Sequence, residues 1–367
     1  MNIEHFFVNL GAKTDELAPF HTMTRFIVVL LVAFLLAQNG CAENWMARLD
    51  DDALIAELSI PGAHDAATGS GWAGLQALIG NSFARTQDLD LRQLWDVGVR
   101  AFDLRPALHK HYLSLNHGMV RTELRFDQVL TMMCGWLSDN PSEFIIIHLL
   151  HAADGDKVND SYERRLVELL NMGEYRPRLA EFRPDLRVGE LRGKILILSR
   201  NAYNGTPIGG IFRNWTGSSD WRRQTQGRIV GPRGTEAKAY MQDFSSTYVQ
   251  GTIDIKLAAI RRMLDFSTGH RATSIDEVVW VLNFASAYSK VLKLFRHSIS
   301  TSNGYRDNAT HTHAAFLSYF AAHPTGPTGI ILMDYAGVDR SHGYQIDGMK
   351  MVHAIIARNK TTPSNSP

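Results

Sequence analysis

Five short apolar runs, separated by amphipathic stretches, constrain the fold of this chain more than any other feature of its sequence. The runs cover residues 101–104, 144–149, 194–198, 278–284 and 329–333. Each run is nearly continuous in apolar residues, which is typical of strands buried on both faces. Between them apolar residues recur every three or four positions, so we predict helices at residues 125–137, 161–171, 253–266, 314–322 and 345–358.

Strands that alternate with helices indicate a parallel sheet covered by helices. The chain has 367 residues, 45% of them hydrophobic, so it can bury a large core as a single domain. We therefore predict an α/β fold built as a (β/α) barrel, with a doubly wound open sheet as the alternative. The segment 201–240 is rich in Gly, Arg and polar residues without clear periodicity, and we predict a long surface excursion there.

The N-terminal region has the pattern of a targeting segment. Met23-Thr24-Arg25 precedes an apolar run over residues 26–37, and small and polar residues follow up to Ala42. This pattern fits a secretory signal peptide better than a membrane span, which needs about 20 apolar residues. We predict an N-terminal extension and signal peptide over residues 1–42, cleaved near Ala42 or kept as an anchor, with Met1 or Met23 as the start. The folded domain then covers residues 43–360, and residues 361–367 form a disordered tail.

Other bulk features agree with a secreted protein. Sequons for N-glycosylation begin at Asn159, Asn204, Asn214, Asn308 and Asn359. The two cysteines are too few for a disulfide framework or a Cys-ligated zinc site. Lys and Arg number 38 and Asp and Glu 37, so no basic field points to nucleic acid as a partner. We predict a secreted glycoprotein that binds no nucleic acid.

Charged side chains follow several of the predicted strands. Two histidines, His64 and His117, each end an apolar segment, and Arg105 follows the run 101–104 between them. Catalytic groups of a barrel lie at the carboxyl ends of its strands. Two histidines and an arginine can cleave a phosphodiester without a metal, since the reaction needs a base, an acid and a fixed positive charge on the phosphoryl group.

Histidine pairs elsewhere raise the alternative of a metal site. His109 and His111, and likewise His311 and His313, are separated by one residue, a spacing that places both rings on one face of a strand. The second pair lies at the start of a predicted helix. Such pairs are weak signals by themselves, and we predict neither a metal nor a cofactor.

Six motifs in this order and spacing are together specific. They are SIPGAHD at residues 59–65, TQDLDLR at 86–92, GVRAFDLR at 98–105, NHG at 116–118, DNPSE at 139–143 and MDY at 333–335. From about residue 57 to residue 336 the chain resembles the X domain of bacterial-type phosphatidylinositol-specific phospholipases C. The resemblance implies a distorted, partly open (β/α) TIM barrel in a single domain.

The resemblance also implies roles for the two histidines. His64 would be the general base that takes the proton of the inositol 2-hydroxyl, and Asp334 would hold its tautomer. His117 would be the general acid that protonates the departing diacylglycerol oxygen, with Asp65 as its partner. The product would be inositol 1,2-cyclic phosphate.

The arginine distinguishes two branches of such enzymes. Arg105 would bind the phosphoryl oxygens, with Asp103 beside it. Calcium-dependent relatives have an acidic ligand where Arg105 stands, so the resemblance implies a metal-independent reaction. Arginine suits this position because it keeps its charge and grips two oxygens at once.

Recognition of the headgroup carries over less completely. Arg200 and Asp243 match positions that hydrogen-bond inositol hydroxyls in the family. A lysine of the bacterial members falls on Leu150 here, and an aromatic residue expected two positions past Asp243 is Ser245. The preferred inositol lipid, phosphatidylinositol or a glycosylphosphatidylinositol, therefore stays open.

A final prediction concerns the membrane. Trp72 and the apolar residues that follow it, up to Phe83, have roughly helical spacing. They form either a core helix or an interfacial helix that enters the bilayer surface, with Trp72 as the interfacial residue.

The leading prediction is a phosphoric diester lyase that acts on membrane phospholipid through peripheral contact. Two alternatives stay open: a metal-dependent glycerophosphodiester or sphingomyelin-type phosphodiesterase, and a non-catalytic phosphoinositide-binding relative.

Overall fold

The computed structural model describes residues 44–152, 160–201, 208–215, 225–245, 252–288, 291–294 and 297–359. The strands are Ser59–Ala63 (β1), Ala101–Leu104 (β2), Pro106–His109 (β3), Tyr112–His117 (β4), Val120–Arg125 (β5), Ile145–Leu149 (β6), Ile195–Ser199 (β7), Gly210–Arg213 (β8), Thr225–Val230 (β9), Glu236–Gln242 (β10), Val279–Phe284 (β11), Val291–Leu294 (β12), His297–Ser300 (β13), Gly329–Met333 (β14), Arg340–Ser341 (β15) and Tyr344–Gln345 (β16). The α-helices are Ala77–Phe83 (α1), Leu91–Asp96 (α2), Phe126–Asp139 (α3), Asp160–Leu170 (α4), Val188–Leu191 (α5), Thr252–Gly269 (α6), Ser302–Ala322 (α7) and Gly348–Ile356 (α8). Short 3₁₀ turns are Trp45–Arg48, Ile55–Glu57, Ala66–Ser70, Gly74–Gln76, Arg176–Arg178 and Ile275–Glu277.

Nine of these strands form a closed barrel in the order β1-β14-β11-β10-β9-β8-β7-β6-β2. Neighbouring strands are parallel except at β9, which runs antiparallel to both β8 and β10. The ring closes where β1 pairs with β2 through two residue pairs, Gly62 with Ala101 and Ala63 with Phe102. The predicted α/β barrel is confirmed in one domain, and the antiparallel strand distorts it. The ring, predicted to be partly open, is closed.

Side-chain alternation along the barrel strands divides the core in two. One set of strand residues packs inside the barrel and at its amino end, and it includes Ile146, Leu196, Met241, Leu282 and Ile330. The neighbouring positions on the same strands face the helices, and they include Ile145, Ile147, Ile195, Ile331 and Met333. In β6, β7 and β14 every residue is buried, so these strands are almost entirely apolar, which explains why the sequence reveals them so clearly.

The segment 201–240 was predicted to be a surface excursion, and this prediction is wrong for its described part. It supplies β8, β9 and most of β10 to the barrel wall. In β10, Ala237, Ala239 and Met241 are buried while Glu236 and Lys238 are exposed. Such period-two alternation is typical of a strand with one solvated face. The pattern in β10 is short and lies in a segment rich in glycine and arginine, so sequence analysis did not detect it. The predicted helix at residues 314–322 also begins earlier, at Ser302.

The targeting segment lies outside the described residues, so its cleavage stays a prediction. Among the residues that the structure describes, no helix has the length and apolarity needed to cross a bilayer. Two of the predicted glycosylation sites do not fit the fold. The Asn308 side chain is only 2% exposed and donates to the Gly304 carbonyl, and the Asn359 amide donates to the Ser59 and Ile356 carbonyls.

The sequons at Asn159 and Asn204 also lie outside the described residues. Asn214 is exposed, as a glycan acceptor must be. It is therefore the sequon within the described ranges that the fold leaves accessible.

A buried ion pair explains one of the six motifs. Arg100 Nε lies 2.9 Å from Glu143 Oε2, and neither side chain is exposed. Glu143 Oε1 also accepts a hydrogen bond from the Met46 amide at 3.1 Å, and the Arg100 guanidinium lies 3.6 Å from the centroid of the Trp95 ring. This glutamate of the DNPSE motif therefore stabilises the amino end of the barrel and does not belong to the site.

We expect Glu143→Ala to lower the free energy of unfolding by about 3–5 kcal/mol, because it removes the carboxylate that balances the buried Arg100 charge. Glu236→Ala is the matched control, since Glu236 pairs with Arg228 at 2.8 Å on the surface, where both side chains are more than 40% exposed. It should cost about 0–1 kcal/mol. Urea titration measures both changes, and equal losses would contradict the structural role of Glu143.

Candidate active site

The carboxyl ends of three adjacent barrel strands bring the predicted catalytic residues together. His64 and Asp65 directly follow β1, Asp103 lies in β2, and Asp334 directly follows β14. Strand β1 lies between β14 and β2 in the barrel, so these side chains start from neighbouring positions on one rim. His117 reaches the same place from the end of β4, in a three-stranded antiparallel sheet formed by β3, β4 and β5.

His64 is held by a carboxylate that is hidden from water. Its Nδ1 lies 2.7 Å from Asp334 Oδ1, and the side-chain exposure is 12% for His64 and zero for Asp334. Burial by itself lowers the pKa of His64, but the carboxylates of Asp65 and Asp334 outweigh it and the pKa is raised. Burial raises the pKa of Asp334. With the proton on Nδ1 directed to Asp334, the free lone pair of His64 is on Nε2.

The guanidinium of Arg105 lies at the centre of the cluster. Its Nη2 is 2.8 Å from both Asp103 Oδ2 and His64 Nε2, and its Nε is 2.8 Å from Asp65 Oδ1. Burial alone lowers the pKa of Arg105, but Asp103 and Asp65 raise it overall, so the side chain stays charged. Burial raises the pKa of Asp103, but Arg105 and His148 together hold it well below its usual range.

The second imidazole faces the same carboxylate from the other side. His117 Nε2 lies 3.5 Å from Asp65 Oδ2, and His64 Nε2 lies 3.3 Å from that same oxygen. His117 Nδ1 donates to the Ala84 carbonyl at 2.6 Å, which fixes its orientation. Because both Nε2 atoms approach one carboxylate oxygen, the two rings face a single site that one phosphorus atom can occupy.

The same cluster has the spacing of a cation site. Ligand atoms of His64, Asp65 and Asp103 lie within 4.8 Å of one another. The Arg105 guanidinium contacts all three residues and places a fixed positive charge beside them.

The two histidine pairs do not form metal sites of the kind that their spacing indicates. His109 ends β3 and Lys110 turns the chain with φ 56°, so His109 and His111 do not share a strand face. His313 lies in the middle of α7, not at a helix start. It is fully buried, its Nδ1 donates to the Ile346 carbonyl at 2.9 Å, and burial lowers its pKa to about 4.

The two predicted headgroup residues also lie together. Arg200 Nη1 is 3.2 Å from Asp243 Oδ2, and Trp215 Nε1 donates to the same oxygen at 3.3 Å. The Arg200 guanidinium lies 4.1 Å from the centroid of the Trp215 ring. Sequence analysis missed Trp215 because it lies in the segment that was read as a surface excursion.

His148 is a second residue that sequence analysis missed. It is 2% exposed, and its Nδ1 donates to Asp103 Oδ1 at 2.9 Å. The ring lies 5.5 Å from that of Trp215 and 5.7 Å from that of Phe284, centroid to centroid. Burial lowers its pKa, so a neutral imidazole positions the carboxylate that holds Arg105. Its place in β6 predicted only a buried strand residue.

A buried lysine lies next to the strands that form the site. Lys256 on α6 is fully buried, and its Nζ donates to Gln242 Oε1 at 3.1 Å. Burial lowers its pKa to about 7, although the charges of Asp243 and Asp334 oppose this shift. In sequence it is one polar residue within an amphipathic helix, where a solvated position is the usual expectation. The fold instead directs its amine towards the barrel.

The TQDLDLR motif ties the catalytic loops to one another. The Gln87 amide donates to the carbonyls of His64 and Met333, at 2.8 Å each, and its oxygen accepts from the Ala336 amide at 2.9 Å. Asp65 and Tyr335 both have positive φ angles, 43° and 51°. These hydrogen bonds hold the backbone beside both residues in a conformation that costs about 1–3 kcal/mol per residue.

The interfacial prediction for Trp72 is wrong. Trp72 is 3% exposed, and its Nε1 donates to Asn81 Oδ1 at 2.9 Å. A Cβ on Gly80 would lie 2.3 Å from the indole, so the ring packs tightly under α1. Exposed apolar side chains do occur beside it. We define the apolar patch as Leu75, Leu78, Ile79 and Met119, which are 84%, 78%, 48% and 74% exposed.

Comparison with known proteins shows which enzymes this chain is similar to. No family model matches the chain. A 1-phosphatidylinositol phosphodiesterase of Staphylococcus aureus (strain Newman) is 28% identical over 301 residues, covering 80% of this chain and 88% of that protein. The protein of the same name from Listeria monocytogenes is 32% identical over 163 residues, covering 43% of this chain and 49% of its own length.

Similar solved structures support the same fold. A variant of the phosphatidylinositol-specific phospholipase C from S. aureus superimposes with a TM-score of 0.68 at 25% identity, covering 88% of this chain and 97% of that one. In sequence and in fold, this chain is a relative of the bacterial phosphatidylinositol-specific phospholipases C.

Proposed function

We propose that this protein is a metal-independent phosphatidylinositol-specific phospholipase C that releases diacylglycerol and inositol 1,2-cyclic phosphate. The observation that carries the proposal is the approach of His64 and His117 to one oxygen of Asp65, with Arg105 in contact with His64 and Asp65. A base, an acid and a fixed cation then converge on one phosphoryl group. The names of the similar bacterial proteins support the same substrate class.

In this mechanism His64 starts the reaction. Its Nε2 takes the proton of the inositol 2-hydroxyl, the freed oxygen attacks phosphorus, and the imidazolium is stabilised by Asp334, 2.7 Å from Nδ1. Arg105 Nη2 contacts the same Nε2 at 2.8 Å. A bound phosphoryl group attracts this guanidinium and frees the base. The attacking hydroxyl is already attached to the substrate, so no water has to be captured and oriented.

His117 completes the reaction. When its Nε2 is protonated, that N–H faces Asp65, and Nδ1 remains bound to the Ala84 carbonyl. As the bond between phosphorus and the glycerol oxygen breaks, Nε2 delivers its proton to that oxygen and diacylglycerol leaves. Arg105 keeps its charge throughout and balances the negative charge that develops on the phosphoryl oxygens.

Headgroup recognition is assigned to the pair Arg200 and Asp243. Their contact at 3.2 Å presents donors and acceptors beside the cluster, and the Trp215 ring offers an apolar face next to them. A sugar ring needs such a combination, since its hydroxyls bind polar groups and its C–H face packs on an aromatic ring. Trp215 compensates for the aromatic residue that Ser245 replaces.

The direct test is incubation of the purified protein with phosphatidylinositol in EDTA, followed by phosphorus NMR. We expect full activity in the chelator and a signal from the five-membered cyclic phosphate. Loss of activity in EDTA that calcium or zinc restores would favour the metal-dependent phosphodiesterase. Binding of inositol lipids without turnover would favour the non-catalytic relative.

The apolar patch is proposed to hold the enzyme on the membrane. Leu75 and Leu78 are more than three-quarters exposed, and they lie on or beside α1, close to the loop that carries His64 and Asp65. Exposed leucines do not stabilise a surface that faces only water, whereas a bilayer surface buries them favourably. Peripheral contact of this kind brings the site to a lipid headgroup.

We expect the double variant Leu75→Ser/Leu78→Ser to weaken binding to phosphatidylcholine vesicles by roughly tenfold or more, since each buried leucine contributes about 1.5–3 kcal/mol. Cleavage of a soluble, short-chain substrate should stay unchanged. Ile275→Ser is the control, because Ile275 is 53% exposed and precedes β11 at the opposite end of the barrel. Equal effects of both variants on vesicle binding would contradict the assignment.

We also propose that the protein enters the secretory pathway. The basic start and apolar run before Ala42 support it, as does the exposed sequon at Asn214. A mature N-terminus near residue 43 in protein recovered from the medium would verify it.

A further inference from the structure

One cleft in the described part of the chain is lined by residues outside the catalytic cluster. It has a volume of about 740 Å³ and lies between the end of α1, the start of α7 and the turn that joins β15 to β16. None of the residues assigned above to the reaction or to the headgroup lines it. A cleft of this size accommodates a small polar molecule or a lipid headgroup.

Positive charge dominates the lining of this cleft. Arg306 is only 3% exposed and is held by Ser341 Oγ at 2.7 Å and Asp88 Oδ1 at 3.3 Å. Arg85 rests on Asn81, whose Oδ1 accepts from both its Nε and its Nη2. Among its described residues, the lining thus contains two arginines and one carboxylate, that of Asp88.

Arg85 keeps donors available for a ligand. Both hydrogen bonds of its side chain use one acceptor oxygen, and within the described part of the chain its Nη1 has no acceptor. A guanidinium with unused N–H groups beside a second, buried guanidinium is suited to phosphoryl oxygens, which accept several hydrogen bonds at once. His342 also lines the cleft.

The cleft opens beside the surface that we propose to meet the membrane. Leu78 and Ile79 of α1 belong to the apolar patch, while Asn81 and Ser82 of the same short helix line the cleft. A helix that lies on a bilayer therefore places the mouth of the cleft near the level of the headgroups. Both features occur within a few residues on one element.

We propose that this cleft binds a second phosphoryl anion, that of an anionic phospholipid next to the substrate. The lipid source rests on the proposed membrane contact, but the anion site itself does not depend on the proposed reaction. Free phosphate offers the same oxygens as a lipid headgroup, so the experiment separates the two sources.

The test compares the wild-type protein with Arg85→Gln, Asn303→Asp and the control Arg92→Gln. Asn303 Oδ1 accepts from Arg306 Nη1 at 3.2 Å, so an aspartate there neutralises that guanidinium, and it suits the first turn of α7. Arg92 is a surface arginine paired with Asp96 at 2.8 Å outside the cleft. Calorimetry with inorganic phosphate gives one readout. Sedimentation with phosphatidylcholine vesicles, with and without phosphatidylglycerol, gives the other.

We expect Arg85→Gln and Asn303→Asp each to weaken binding to the anionic vesicles by about fivefold, and Arg92→Gln to change it by less than about twofold. Binding to pure phosphatidylcholine should not change. If only the phosphate titration depends on Arg85, the anion site is supported with a soluble ligand as its source. Equal losses for Arg85→Gln and Arg92→Gln, or no dependence on Arg85 in either assay, would overturn the proposal. Both assays measure binding and not turnover. An inactive enzyme would therefore contradict the proposed reaction but leave the test of the anion site unaffected.

Discussion

His64→Ala is expected to lower kcat on phosphatidylinositol by about 10²- to 10⁴-fold, the usual contribution of a positioned general base. The imidazole accepts the proton that makes the inositol 2-hydroxyl a nucleophile, and its Nδ1 is fixed by Asp334 at 2.7 Å. Asp334→Asn should cause a comparable loss, because an amide donating to Nδ1 forces the proton onto Nε2. Initial rates on phosphatidylinositol in detergent micelles measure both effects.

The pH profile gives this prediction a second readout. The pKa of His64 is raised above 6.5. A base must be unprotonated, so kcat/KM should fall as the pH drops through this raised value, and the acidic limb should lie above pH 6.5. His353→Ala is the control, since His353 is exposed on α8. A His64→Ala enzyme that keeps most of its activity, or an acidic limb well below this value, would contradict the assignment.

His117→Ala is expected to cause a loss that depends on the leaving group. On phosphatidylinositol the departing oxygen is an alkoxide and needs a proton, so kcat should fall by about 10²- to 10⁴-fold. On an inositol phosphodiester with a nitrophenol leaving group, the departing anion is stable without a proton. There the same variant should lose less than about tenfold, because no general acid is required.

The two variants therefore separate acid from base. His64→Ala should be slow on both substrates, whereas His117→Ala should recover on the nitrophenyl substrate. Rates of both variants on the two substrates, measured at one pH, provide the comparison. Equal losses for His117→Ala on the two substrates would show that this imidazole is not the acid.

The barrel itself could be predicted because its strands are buried on both faces. Residues 329–333 are apolar throughout, and residues 145–149 are apolar except for His148, as expected for buried parallel strands. Strands β8, β9 and β10 escaped prediction because one face of β10 meets solvent and their segment is rich in glycine and polar residues. Their place in the wall is decided by pairing with β7 on one side and β11 on the other.

Part of the catalytic cluster could also be predicted from the sequence. His64, Arg105 and His117 stand out because histidine and arginine directly after apolar runs are unusual, and their motifs resemble a known family. His148 and Lys256 gave no such signal, since a single polar residue in a strand or a helix has many roles. Only the contacts with Asp103 and Gln242 reveal what these two side chains do.

By itself, the amino-acid sequence determined five strands of the barrel core and which side chains we propose for the chemistry, because both depend on local residue types and spacing. Tertiary structure decided the rest: the closed ring, the burial of Trp72 under α1, the exposure of Leu75 and Leu78, and the cleft beside Arg85. The physical reason is that the burial of an apolar side chain, and the partner of a charged one, depend on residues far apart in the chain. Periodicity predicts an apolar face, and only packing shows whether protein or membrane covers it.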